Sequence, residues 1–306
     1  VREFLNAGSV DEIVFTRNAT EGYNLVADCF GRMPAPYGIG EGDEIILSIM
    51  EHHSNIVPWH FLRERKGVVI KWVPVTEEGT LDIEAYKTIF TSRTKLVALV
   101  HMSNVLGTEN PASEIARIAH EHGVPILFDG SQAVVHGAVD VAAIGCDFYV
   151  LTGHKLYGPN ATGALYAKGD WLDRLPPFLG GGEMIAEVSE EGVVYAAPPH
   201  KFEAGTPAIA DAIGLGAALD WMSARVTPEA LAHEHSLLEA AAAGLRAMEG
   251  VRILGTAPGK GPILSFVVEG AHAHDLAQLM DRYGVAVRAG HHCAHPLMKR
   301  FGITAS

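Results

Sequence analysis

Short apolar runs alternate with amphipathic stretches along most of the chain. The runs at residues 12–16, 44–48, 68–73, 95–101, 125–129, 147–151 and 163–167 predict strands. Between them, residues 22–30, 56–66, 83–90, 112–121 and 208–223 repeat their apolar positions at helical spacing and predict helices. This alternation predicts an α/β fold: a mostly parallel mixed sheet with helices on both faces. After Met222 the pattern changes to a helix at 229–248, a strand at 261–268, a helix at 273–283 and a strand at 286–288. That predicts a smaller α+β domain, with the division at 1–222 and 223–306. The chain opens at Val1 without a helix-start signal and closes at Ser306 without a cap, so the small domain is expected to be truncated.

Composition narrows the classes. A hydrophobic content of 48% over 306 residues supports a sizeable core. The formal net charge is −13 and basic residues do not cluster, which argues against nucleic acid or an anionic membrane surface as partner. No apolar stretch reaches the roughly 18–20 residues of a membrane span. The three cysteines, Cys29, Cys146 and Cys293, are odd in number and far apart. They form no disulfide framework, and a reducing cytoplasmic location is expected.

The polar residues that matter fall just after predicted strands. In a parallel sheet those ends share one edge, where ligands bind. Lys155, in Thr152-Gly153-His154-Lys155, follows the apolar run Phe148-Tyr149-Val150-Leu151. Desolvation there would lower the amine pKa and free its lone pair for a Schiff base. The other lysines, Lys201 among them, read as solvated surface charges. Asp129 ends another apolar run and needs a cationic partner, such as a protonated pyridine nitrogen; a turn-forming Asp-Gly is its plainer reading. Gln132 and Asn104 are possible donors to a ring oxygen, or else ordinary helix-surface and turn residues. One of His52 and His53 could stack on a ring face. Thr20 sits where a helix N-terminus favours a phosphate, although capping by Asn18 or Thr20 explains the same residues. Thr152 and His154 could complete a phosphate cup.

Near the C-terminus, Gly290-His291-His292-Cys293-Ala294 offers a thiol flanked by two histidines. Only a few per cent of an ordinary thiol is ionised at neutral pH, and the histidines with Arg288 could raise that fraction. Arg288 could also pair bidentately with a substrate carboxylate. Adjacent residues on an extended chain alternate in direction, so no metal is expected at His291, His292 and Cys293. Together the lysine, the aspartate and the cysteine suggest pyridoxal 5'-phosphate chemistry joined to a thiol nucleophile.

Together these stretches resemble the class V aminotransferase family, and within it the SufS/CsdA-like (group II) cysteine desulfurases. The matching segments are Ala19–Gly22, Glu51–Val57, His101–Gly107, Asp129–Ala133, Gly153–Pro159, Gly180–Gly182, Phe202–Pro207 and Arg288–Ala294. The resemblance implies a pyridoxal-phosphate-dependent transferase of fold type I, acting as a homodimer. It implies that Lys155 forms the Schiff base, Asp129 pairs with the pyridine nitrogen and His52 stacks on the ring. Gln132 and Asn104 would serve the ring oxygen, and Thr20, Thr152 and His154 the phosphate. Thr206 would reach the partner subunit's phosphate, Arg288 the substrate carboxylate, and Cys293 would carry a persulfide. The implied substrate is L-cysteine, or alternatively L-selenocysteine. The implied product sulfur goes to an acceptor of the SufE or SufU type for iron–sulfur cluster assembly. A transaminase or other lyase with an incidental Cys293, or a truncated form that binds cofactor without turnover, are the competing readings. Against the family pattern, this sequence lacks a longer N-terminal segment and a second arginine beyond Ser306, and it has Ala208 where asparagine is common.

Overall fold

The computed structural model describes residues Val1–Ser306. A seven-stranded sheet forms its centre: β1 (Ile13–Thr16), β2 (Glu44–Ser48), β3 (Val69–Val73), β4 (Thr94–Val100), β5 (Ile126–Asp129), β6 (Phe148–Thr152) and β7 (Gly163–Ala167). Their spatial order is β1-β7-β6-β5-β4-β2-β3. β3, β2, β4, β5 and β6 run parallel, while β7 is antiparallel to both β6 and β1. β1 therefore points the same way as β6, and six C-terminal strand ends share one edge.

The strands read as unbroken apolar runs because both faces are covered. Ile46, Val97, Leu99, Phe128, Tyr149 and Leu151 enter one buried cluster. Their alternates Ile45, Leu47, Leu96, Ala98, Leu127, Phe148 and Val150 enter the other. Each full burial of such a side chain stabilises the fold by about 1.5–3 kcal/mol. Asp129 follows Phe128 in this alternation, so it faces the same side as Leu127 and meets the helix Ala19–Arg32. Asn18 caps that helix by accepting the Glu21 N–H at 3.0 Å. Gly22 lets it lie close on the sheet, since a Cβ there would stand 2.8 Å from Val150 Cγ1.

Beyond the sheet, β8 (Ile185–Val188) and β9 (Val193–Tyr195) form an antiparallel hairpin that the sequence pattern did not predict. β10 (Val251–Leu254) and β11 (Ser265–Val268) form another antiparallel pair, with the helices Pro228–Arg246 and Ala273–Asp281 on either side in sequence. Leu254, Leu297 and Met298 share a buried cluster with Met222 and Phe128. No helix is long and apolar enough to cross a membrane.

Three expectations need correction. Residues 286–288 form no strand: no ladder pairs them with any other strand, and the small sheet consists of β10 and β11 alone. They line a cavity beside β11 instead. The strand predicted at 261–268 begins only at Ser265. Its first residues strap onto the 107 turn, where Gly261 N–H donates to the Gly107 carbonyl at 2.8 Å. Lys201 is buried rather than solvated, and its ammonium donates to the carbonyls of Leu172 at 2.6 Å and Asp173 at 3.2 Å. It thereby satisfies late carbonyls of the helix Gly169–Arg174.

Candidate active site

Each strand end at the shared edge delivers a polar side chain. β5 ends on Asp129, which is buried. The Ser131 N–H donates to Asp129 Oδ1 at 2.9 Å, and no cation forms a salt bridge with it. Gly130 is required beside it, since a Cβ would fall 1.9 Å from Tyr149 Cε1. Tyr23 brings a buried phenol with no hydrogen-bond partner toward this carboxylate. Burial, and then Asp129 itself, hold the phenol well above its usual pKa.

β6 runs through Thr152 into a 3₁₀ turn, Gly153–Lys155. Lys155 is half-buried there. Burial lowers its pKa, Arg288 lowers it further, and Asp129 and Cys293 oppose that. A depressed amine pKa leaves more neutral amine at any given pH. Lys155 thus senses Asp129, Arg288 and Cys293, which come from three separate parts of the chain.

After β2, Glu51 is buried and its carboxyl is pushed up to about 8 by burial. Asn55 Nδ2 donates to Glu51 Oε2 at 2.7 Å, and the Val100 N–H donates to Oε1 at 3.0 Å. This anchors the next residue, His52. The Ser54 N–H donates to His52 Nδ1 at 3.1 Å, so that nitrogen is unprotonated and the ring is neutral. Burial lowers the His52 pKa; Asp129 raises it and Lys155 lowers it. The two adjacent histidines therefore part company: His52 faces Asp129 and Lys155, whereas His53 turns to the Cys293 loop.

Two threonine hydroxyls with polar partners stand nearby. Thr20 Oγ1 lies 2.8 Å from Ser54 Oγ, at the first turn of the helix Ala19–Arg32. Thr152 Oγ1 lies 2.9 Å from His154 Nδ1, and His154 has its pKa lowered by burial and by Lys155. Gln132 precedes the short helix Ala133–His136 without capping it. Asn104, past the end of β4, donates to the His292 carbonyl at 2.8 Å and leaves its buried Oδ1 without a partner.

Cys293 is an exposed free thiol, whereas Cys29 and Cys146 are buried. Burial pushes the Cys29 thiol up to about 12, and that of Cys146 higher still, as small core hydrophobes. Arg288, Asn104, His292 and Ser306 line a cavity of about 300 Å³ whose remaining wall is mostly apolar. Thr206 is not part of this group. It lines a second cavity, of about 420 Å³, with Arg17, Glu21 and Thr162. Sequence reasoning missed Tyr23, and also His295, whose only signal was a histidine two residues after Cys293.

The aminotransferase class-V family model matches residues 1–306. The chain belongs to the aminotransferase class-V family. A probable cysteine desulfurase of Streptomyces coelicolor is 47% identical over 308 residues, covering 100% of this chain and 74% of that protein. A cysteine desulfurase of Dickeya dadantii is 47% identical over 304 residues, covering 99% and 73%. Among solved structures, the S-sulfonic acid form of cysteine desulfurase CsdA from Escherichia coli superposes with a TM-score of 0.93 at 38% identity, over 99% of this chain and 75% of that one. The cystine C–S lyase C-DES, complexed with its product cysteine persulfide, matches with a TM-score of 0.83 at 26% identity, over 94% and 76%.

The cofactor of this class V enzyme is pyridoxal phosphate, and the residues present fit it. Asp129 is a buried carboxylate without a cation, which a protonated ring nitrogen would supply. The orphaned Asn104 Oδ1 and the hydroxyls of Thr20 and Thr152 are polar groups whose hydrogen-bonding capacity exceeds what the chain uses. The first-turn N–H groups of the helix Ala19–Arg32 suit a phosphate.

Proposed function

We propose that this enzyme is a cysteine desulfurase, converting L-cysteine to L-alanine and leaving the sulfur on Cys293 as a persulfide. The observation that carries this reading is the convergence of Lys155, Asp129, Arg288 and the exposed Cys293 on one site. The names of the relatives at 47% identity support the same activity.

Bound pyridoxal phosphate supplies an electron sink for charge developing at the substrate α-carbon. Lys155 would hold the cofactor aldehyde, Asp129 would keep a proton on the ring nitrogen, and neutral His52 would cover the ring face. Thr20, Thr152 and His154 would hold the phosphate, with Gln132 and Asn104 at the ring oxygen. Arg288 would orient the substrate carboxylate. The lowered pKa of Lys155 lets its Nζ take the proton from the α-carbon. Cys293 Sγ, as thiolate, attacks the substrate sulfur. An S–S bond forms, the Cβ–S bond breaks, and its electron pair stays with the carbon skeleton, which takes up one proton at Cβ and regains one at the α-carbon from Lys155 before it departs as alanine. Exposure of Cys293 suits onward transfer to an acceptor of the SufE or SufU type, serving iron–sulfur cluster assembly.

The assembly we propose is a homodimer in a reducing cytoplasm. Tyr157, Ile209, Ile213 and Trp221 are 68%, 59%, 69% and 49% exposed, a surface of the kind that a second copy covers. Thr206 precedes the helix Ile209–Arg225, which carries the last three of these, and would meet the second copy's phosphate. The activity is tested by measuring alanine released from L-cysteine by the cofactor-loaded enzyme and its variants. Loss of release in both Lys155→Ala and Cys293→Ser is the expected result. Full release in Cys293→Ser removes the thiol step, and a requirement for an amino-group acceptor makes the enzyme a transaminase.

A further inference from the structure

The turn that carries Cys293 is strained. His292 (φ 50°) and Cys293 (φ 57°) are consecutive residues in the left-handed region, and neither is glycine. Such a backbone persists only where its surroundings hold it. Some of the holding groups lie outside the His53 turn. Asn104 donates to the His292 carbonyl, and Gly290 and Ser306 exchange backbone hydrogen bonds at 3.0 and 3.1 Å.

The His292 ring also meets the Ser306 carbonyl at 2.9 Å, and the Ala294 N–H donates to the His291 carbonyl at 2.9 Å. A further grip comes from His53, which touches both sides of Ala294. Its backbone N–H donates to the Cys293 carbonyl at 2.8 Å. Its Nε2 accepts the His295 backbone N–H at 3.2 Å and lies 2.8 Å from His295 Nδ1. The His53 and His295 rings stack with centroids 4.7 Å apart, and His291 stacks on His295 at 4.0 Å. Accepting a backbone N–H requires Nε2 to be unprotonated, so His53 carries its hydrogen on Nδ1 and His295 Nδ1–H is the donor.

We infer that His53 is a positioning residue for Cys293: its main chain and ring acceptor together clamp the strained turn that presents the thiol. This rests on the reading of Cys293 as the sulfur-accepting thiol. The geometry makes the clamp acid-sensitive. A proton on Nε2 converts the acceptor into a donor that faces the His295 N–H. The titratable groups facing His53 are His52 on its own turn and His291 and His295 on the Cys293 loop, with no carboxylate among them. Burial, then these imidazoles, hold His53 below the usual imidazole range, so the clamp stays closed at neutral pH and opens in acid.

The test uses cofactor-loaded wild type, His53→Phe, which keeps a ring without an acceptor, and His53→Gln, which keeps an acceptor that does not titrate. Single-turnover sulfur arrival at Cys293 and deuterium uptake of the peptide around residues 289–296 are measured at about pH 8 and along an acid series down to about pH 4.5, well below the ordinary imidazole value. At the higher pH, His53→Phe should transfer sulfur about 3–10-fold more slowly and exchange faster, as the loss of an acceptor shared by two His295 donors requires. His53→Gln should match wild type there. In acid, wild type should fall relative to His53→Gln. The clamp is overturned if His53→Phe behaves as wild type, if His53→Gln falls with it, or if the wild-type to His53→Gln ratio does not change with pH. If sulfur reaches Cys293 in none of the proteins, the functional reading fails instead. Deuterium uptake then still decides the clamp, which unchanged uptake in His53→Phe excludes.

Discussion

The Asn104 side chain donates to the His292 carbonyl at 2.8 Å, across 188 residues of sequence. The C-terminal end of a central strand thus holds the turn ahead of Cys293, and Asn104 also lines the cavity that contains Arg288. Cofactor side and thiol side are tied through one amide.

Removing that amide should free the turn. Asn104→Ala is expected to raise deuterium uptake around Cys293 by about 3–10-fold, the scale of one hydrogen bond. Sulfur transfer to Cys293 should slow with it. Unchanged protection of the turn would contradict this role for the Asn104 amide.

Acid stability should track His101. This imidazole is buried, with Nδ1 2.8 Å from the Tyr149 hydroxyl, and burial depresses its pKa to about 4. Between the ordinary value near 6.5 and about 4, the unfolded chain binds a proton that the folded one does not. Stability from this group is therefore present above the unfolded value and lost as pH falls through the folded one, amounting to on the order of 3 kcal/mol. Thermal melts from neutral to acid pH should fall more steeply in wild type than in His101→Gln. Parallel curves would rule the group out.

The close approach of the helix Ala19–Arg32 to the sheet is sensitive to one methyl group. A Cβ at Gly22 would sit 2.8 Å from Val150 Cγ1. Gly22→Ala should destabilise the protein by about 1–3 kcal/mol through overpacking, read from the denaturant midpoint. A midpoint equal to wild type would mean the helix shifts freely.

Lys201→Met should cost about 1–3 kcal/mol, because two buried helix carbonyls lose their donor. If this residue were a solvated surface charge, the same substitution would leave the denaturation midpoint within error of wild type.

The strand ends were legible because a strand buried on both faces leaves an unbroken apolar run, and the first polar residue after it marks the edge. Asp129 and Lys155 stand out for that reason. The hairpin β8–β9 was not legible because its strands are largely exposed and mix valine with glutamate. The error at 286–288 has a different origin. Local apolar pattern proposes a strand, but a strand also needs a paired ladder, and the chain around these residues docks along a cavity beside β11 without forming one. Lys201 shows the same limit, since its acceptors Leu172 and Asp173 lie 29 and 28 residues away. The contact of His53 with His295 spans 242 residues and exists only once the sheet and the C-terminal loop are assembled.

The central claim is that sulfur leaves L-cysteine at Lys155 and arrives at Cys293. The most direct test is mass spectrometry of the cofactor-loaded enzyme after brief exposure to L-cysteine. One additional sulfur should appear on the peptide containing Cys293 in wild type, and none in Lys155→Ala. Alanine formed at the full rate while that peptide stays unmodified would contradict the account.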